Sequence, residues 1–145
     1  MQYALLAIMD VPEIIKQFRS KYDSHKQIPA HVTLGYLKTD INQYKFNIKE
    51  IEFDTIKCVD DLIALVPRKQ EIIHKKLTNI DKYIKKYPKS GFHLTLAYEK
   101  GGINDYSKVC EEIKTEITLP IILKVKEYWL MGRNDNSGWK HIKIL

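Results

Sequence analysis

The chain has 145 residues, 44% of them hydrophobic and 29% charged, which suits one soluble domain with a substantial core and excludes a disordered or fibrous protein. Its net charge of +6 comes mainly from lysine, with Arg19, Arg68 and Arg133 the only arginines, so small anionic ligands are favoured over a long polyanion track. No apolar run is long enough to cross a bilayer, the N-terminus lacks a basic region and cleavage site, and Cys58 and Cys110 stand isolated without metal-site spacing; a cytoplasmic monomer with reduced cysteines and no membrane association is expected.

Residues Tyr3 to Met9 form an apolar run that reads as a first strand. Asp10-Val11-Pro12-Glu13 then starts a helix, with Asp10 as candidate N-cap, and Ile14, Ile15, Phe18 and Tyr22 mark its buried face. Ser24 to Pro29 reads as a loop leading into Ala30-His31-Val32-Thr33-Leu34-Gly35-Tyr36, a strand by its β-branched and aromatic content. Further on, Leu62 to Val66 is another apolar strand. Lys69 to Lys86 reads as a long amphipathic helix with Ile72, Ile73, Leu77, Ile80 and Ile84 as its stripe. Tyr87-Pro88-Lys89-Ser90-Gly91 breaks that helix and delivers the chain into Phe92-His93-Leu94-Thr95-Leu96-Ala97-Tyr98. Ile121 to Met131 and Trp139 to Leu145 close the chain as a hairpin around a Gly132 to Gly138 turn.

Strand, helix, proline-bearing loop and His-x-Thr strand thus occur twice in the same order. Outside the motif, Ile41, Asn42 and Tyr44 recur as Ile103, Asn104 and Tyr106, and Glu50-Ile51 recurs as Glu112-Ile113. After a slip in offset, Val59-Asp60-Asp61-Leu62 sits opposite Val125-Lys126-Glu127-Tyr128. The expected fold class is therefore α+β: residues 1–145 form a single domain of two pseudo-symmetric lobes, a bilobal internal duplication whose antiparallel sheets line a central cleft with helices outside.

Strand alternation places His31, Thr33 and Gly35 on one face and Val32, Leu34 and Tyr36 on the other, with His93, Thr95 and Ala97 against Leu94, Leu96 and Tyr98 in the second copy. If the polar faces meet, two imidazoles can trade protons while two hydroxyls hold the oxygens of an anion. That combination describes phosphodiester cleavage without a metal. A metal site is the competing reading of paired histidines, but it calls for a third or fourth ligand where these motifs carry threonine. A lone His-x-Thr would say little; two in matched context point to function.

His31-Val32-Thr33-Leu34 and His93-Leu94-Thr95-Leu96 resemble the paired motifs of the 2H phosphoesterase superfamily. That group includes 2′-5′ RNA ligase-like proteins, 2′,3′-cyclic nucleotide phosphodiesterases and viral 2′-5′ phosphodiesterases. The resemblance implies the same bilobal fold, His31 and His93 as the catalytic pair, Thr33 and Thr95 as phosphate-binding hydroxyls, and no cofactor or metal. The substrate it implies is a small 2′-linked or cyclic nucleotide or oligonucleotide, with 2′-5′ oligoadenylate or a cyclic dinucleotide signal preferred. Processing of RNA ends through a 2′,3′-cyclic phosphate is one alternative, and a non-catalytic RNA-binding module is another.

Tyr3, Tyr128, Trp129 and Trp139 are candidates to stack on a base, and Arg133 to touch a phosphate. Tyr36 and Tyr98 are assigned to the core by strand parity. His25, His74 and His141 read as surface or structural residues, and Lys75, Lys76, Lys82, Lys85, Lys86 and Lys89 as a solvated face.

Overall fold

The computed structural model describes residues 1–23, 28–41, 46–59, 62–98, 105–134 and 138–145. In chain order the elements are β1 (Gln2–Asp10), α1 (Glu13–Tyr22), β2 (His31–Leu37), β3 (Glu50–Phe53), β4 (Thr55–Val59), β5 (Leu62–Val66) and α2 (Gln70–Lys76). A 3₁₀ helix (Thr78–Tyr83) follows, then β6 (Ile84–Lys86), β7 (Leu94–Tyr98), α3 (Tyr106–Glu116), β8 (Ile121–Arg133) and β9 (Lys140–Ile144). Among the described residues no helix is long and apolar enough to cross a membrane.

The two-lobed cleft expected from the sequence does not form. All nine strands among the described residues belong to one sheet of order β3-β8-β1-β2-β7-β5-β4, with β6 added to β2 and β9 to β8. The outermost strands, β3 and β4, are joined by Asp54 alone, so the sheet curls until its edges approach. The result is a nearly closed, mostly antiparallel barrel, 44% strand and 27% helix. The physical reason lies in Val32 and Leu94, which pair across β2 and β7 and are both fully buried in one core. The two His-x-Thr strands therefore lie side by side in one sheet instead of facing each other across a gap.

Strand β1 is buried from Ala4 to Met9, as expected of a strand covered on both faces. Leu5, Ala7 and Met9 join the main core, while Ala4, Leu6 and Ile8 form a second cluster with Met131 on the opposite face. Helices α1, through Ile15, Phe18 and Tyr22, and α3, through Val109, Cys110 and Ile113, pack against the main core. Helix α1 begins after Pro12, whose ring supplies the required φ, and Asp10 ends β1 without capping anything.

The helix expected over Lys69 to Lys86 stops at Lys76. Asn79 and Asp81 are weak helix formers, and Ile84 does better as a strand residue, pairing with Leu37 and packing on Gly35. The longer repeat also fails: Glu50-Ile51 is strand whereas Glu112-Ile113 is helix. His25, Asn42, Tyr44, Asp60, Asp61, Ile103 and Asn104 lie outside the described residues. Cys58 of β4 and Cys110 of α3 are not reduced thiols. Their Cα atoms come within 6.3 Å and they form a disulfide, which removes the cysteine-based argument for a cytoplasmic setting.

One irregularity occurs twice and matters for the site. In the β1–β2 ladder Leu5 pairs with Gly35 but Leu6 pairs with Thr33, leaving Leu34 as an extra residue. In the β5–β7 ladder Ile63 pairs with Ala97 but Ala64 pairs with Thr95, leaving Leu96 extra. A bulge of this kind breaks the two-residue alternation. Directly paired residues share a face, so Tyr36 (opposite Ala4) lies with Thr33 (opposite Leu6), and Tyr98 (opposite Leu62) lies with Thr95 (opposite Ala64). Parity counting had put both tyrosines in the core and Gly35 and Ala97 beside the histidines; the bulges reverse all four. Two successive residues now crowd the core side of each strand, Leu34-Gly35 and Leu96-Ala97, and the second must be small. A Cβ on Gly35 would sit 3.1 Å from Ile84 Cγ2. Gly35→Val should therefore lower unfolding stability by about 1–3 kcal/mol in a denaturant titration, and an unchanged midpoint would contradict the bulge packing.

Candidate active site

The site follows from the Val32–Leu94 pair. Those two side chains point into the main core, so their neighbours in each strand point the other way. In antiparallel register His31 then falls opposite Thr95, and Thr33 opposite His93. The four polar groups make a square with a local two-fold axis through its centre. Directly opposed side chains have Cβ atoms roughly 5 Å apart and diagonal ones roughly 7–8 Å, so the two imidazoles, on one diagonal, leave room for a tetrahedral anion between them.

Both imidazoles are anchored alike. His31 Nδ1 lies 2.8 Å from the Pro29 carbonyl, and His93 Nδ1 lies 2.9 Å from the Gly91 carbonyl, each two residues upstream. A carbonyl only accepts, so Nδ1 carries the proton in both rings and Nε2 is the nitrogen left for chemistry. The loop residues preceding each motif thus set the tautomer. Burial pushes His31 down from 6.5 to about 4; the Pro29 bond opposes that, the positive charge of Arg19 adds to it, and the nearby Asp23 and His93 exert smaller opposite effects.

Arg19, named in the sequence only as one of three arginines, and Asp23 prove central. They are buried at the C-terminal end of α1. Arg19 Nη2 donates to Asp23 Oδ2 at 2.9 Å and to the Ile28 carbonyl at 3.0 Å, and Arg19 Nε donates to the Thr95 carbonyl at 3.2 Å. One guanidinium therefore ties α1 to the backbone of β7 at the site. The only sequence signal was the i, i+4 spacing, which reads equally well as a surface pair.

A cavity of about 340 Å³ opens on this face, lined by His31, Thr33 and Thr95, with Tyr36, Tyr98 and Trp139 among its other walls. His93 is not among its lining residues, but the strand register sets it opposite Thr33. Ala4, Leu6 and Met131 form an apolar floor, and Arg133 stands at the rim. Arg133 is itself positioned: Nε donates to Gln2 Oε1 at 2.6 Å and Cζ lies 4.6 Å from the Trp139 ring centre. Of the aromatic candidates read from sequence, Trp139 lines the cavity. Tyr3 lies in an adjoining cavity, and Trp129 in a separate depression, where its Nε1 donates to Glu127 and its ring meets His141. Tyr128 is excluded, because it lies on the opposite face, stacked on Phe46 with its hydroxyl donating to the Ile48 carbonyl. His74 packs against Tyr87 and Phe92, away from the site.

Compared with known proteins, the chain matches no family model and no curated protein. What the site can do is carried by its own geometry. Among the described residues no three His, Cys, Asp or Glu side chains gather as a metal site. The polar groups brought together are two imidazoles and two hydroxyls, with the Arg19-paired carboxylate of Asp23 also in the cavity wall, an arrangement suited to moving protons on either side of an anion.

Proposed function

We propose that the chain is a phosphodiesterase of the 2H type, cleaving 2′-linked or cyclic oligonucleotides by acid–base catalysis between His31 and His93 with no metal. The observation that carries this reading is the matched pair of Nδ1–H···O=C bonds, which leaves Nε2 as the nitrogen for chemistry in both rings, with His31 lining a cavity beside Thr33 and Thr95 and His93 set opposite Thr33 by the strand register. His31, neutral down to about pH 4, takes the proton from the attacking hydroxyl. His93 is the acid of the pair and gives its Nε2 proton to the leaving oxygen. In a 2′-5′ linkage the neighbouring 3′-hydroxyl attacks phosphorus, the bond to the 5′-oxygen breaks, and a 2′,3′-cyclic phosphate forms. Thr33 and Thr95 hold the non-bridging oxygens, and Tyr36, Tyr98 and Trp139 offer faces for a base.

The test is a panel of 2′-5′ oligoadenylate, a cyclic dinucleotide and RNA ending in a 2′,3′-cyclic phosphate, with products identified by mass. Turnover of the first two is expected; turnover of the RNA end alone would replace the substrate assignment and keep the chemistry. The pH profile is a separate check. The base must be neutral, so kcat/KM should hold as pH falls through 6 and collapse only near about 4. An acid limb at the ordinary histidine value would remove His31 as base.

A further inference from the structure

Beyond the wall formed by Tyr36, Arg133 and Trp139 lies a second cavity of about 270 Å³, which shares those three residues with the first. Lys38, Lys85 and Lys86 line it, with no carboxylate among the described residues of the lining. Lys85 and Lys86 are exposed as expected from the sequence, but on strand β6 and not on a helix face. Strand β6 pairs with the end of β2, setting Lys86 opposite Tyr36, with its Nζ 5.2 Å from the Tyr36 ring centre. Lys38 Nζ donates to the Lys82 carbonyl at 3.3 Å, which holds it beside the same strand. With Arg133, four cations converge with no counter-ion among the described residues of the lining, next to an aromatic wall and a phosphate-sized polar square.

We infer that this second cavity is a subsite for another phosphate of the substrate, so that the chain prefers oligonucleotides with at least one phosphate beyond the one cleaved. This deepens the reading above and rests on it for the position of the scissile phosphate. A base would stack along Tyr36 or Trp139 while the next phosphate meets the lysines, each a flexible point charge that tolerates different linkages. Cyclic and linear oligonucleotides would both satisfy it; a mononucleotide cyclic phosphate would leave it empty.

The test compares binding of 2′-5′-linked triadenylate with that of the 2′-5′ dinucleoside monophosphate, which has a single phosphate, by calorimetry at fixed salt. The proteins are wild type, Lys38→Ala/Lys85→Ala/Lys86→Ala, and the charge-matched control Lys75→Ala/Lys108→Ala/Lys114→Ala, all checked by circular dichroism. The trimer-over-dimer affinity ratio should fall by about tenfold or more in the first variant and stay put in the control. An unchanged ratio, or an equal fall in the control, would overturn the subsite. Binding needs no turnover, so loss of the ratio in a protein that cleaves neither compound would keep the subsite and reject the catalytic reading.

Discussion

His31→Ala and His93→Ala are each expected to lower kcat/KM for 2′-5′ oligoadenylate by roughly 10²–10⁴-fold, the range for losing a positioned proton carrier. The double variant should be scarcely worse than either single one, because base and acid act on the same transfer and neither works alone. Thr33→Ala and Thr95→Ala should cost about tenfold or less, since each removes one neutral hydroxyl contact. Far-ultraviolet circular dichroism should be unchanged in all four, because both imidazoles and both hydroxyls are half-buried on the cavity side and contribute little to the main core. Multiplicative losses in the double variant would mean that the two histidines act in separate steps.

The largest expected effect on stability comes from Arg19→Met. The guanidinium donates to Asp23, the Ile28 carbonyl and the Thr95 carbonyl, and its partner Asp23 is 1% exposed. Removing it takes the Arg19 cation from a buried carboxylate and frees the Thr95 and Ile28 carbonyls, a loss of about 3–5 kcal/mol. In a chain of this size that lowers the melting temperature by on the order of 10 °C. Arg19→Met/Asp23→Leu should recover much of the loss, because the buried charge is gone as well. A double variant no more stable than the single one would show that the carbonyl bonds, and not the ion pair, carry the effect. Activity is a second readout: without Arg19 beside it, His31 loses one of the influences that hold its pKa low, so the acid limb should move upward.

The chemistry-bearing residues were legible because they are local. His31, Thr33, His93 and Thr95 announce themselves by repetition, and the cavity gathers the first, second and fourth, with His93 set opposite Thr33 by the strand register. The apolar runs of β1 and β5, the buried face of α1 and the β8–β9 pairing were readable for the same reason. The two-lobe reading failed because order along the chain does not say whether repeated strands pair with each other; Val32 meeting Leu94 decides that. The tyrosines failed through parity. Counting by twos assumes an unbroken pleat, and both bulges lie between the histidine and the tyrosine of each copy. Gly35 and Ala97, small at the same place in both strands, were the trace left in the sequence. Arg19–Asp23 and Cys58–Cys110 depend on which elements pack together, β7 with α1 and β4 with α3, and spacing alone does not reveal that. Helix α3 was missed because its buried stripe is only Val109, Cys110 and Ile113.

Turnover of 2′-5′ triadenylate in excess EDTA, by wild type and by His31→Ala/His93→Ala, tests the two-imidazole chemistry most directly. Undiminished cleavage by wild type, with a cyclic-phosphate product by mass and none from the double variant, is the result expected. Cleavage that vanishes in EDTA and returns with a divalent ion, or that persists without both imidazoles, would contradict it.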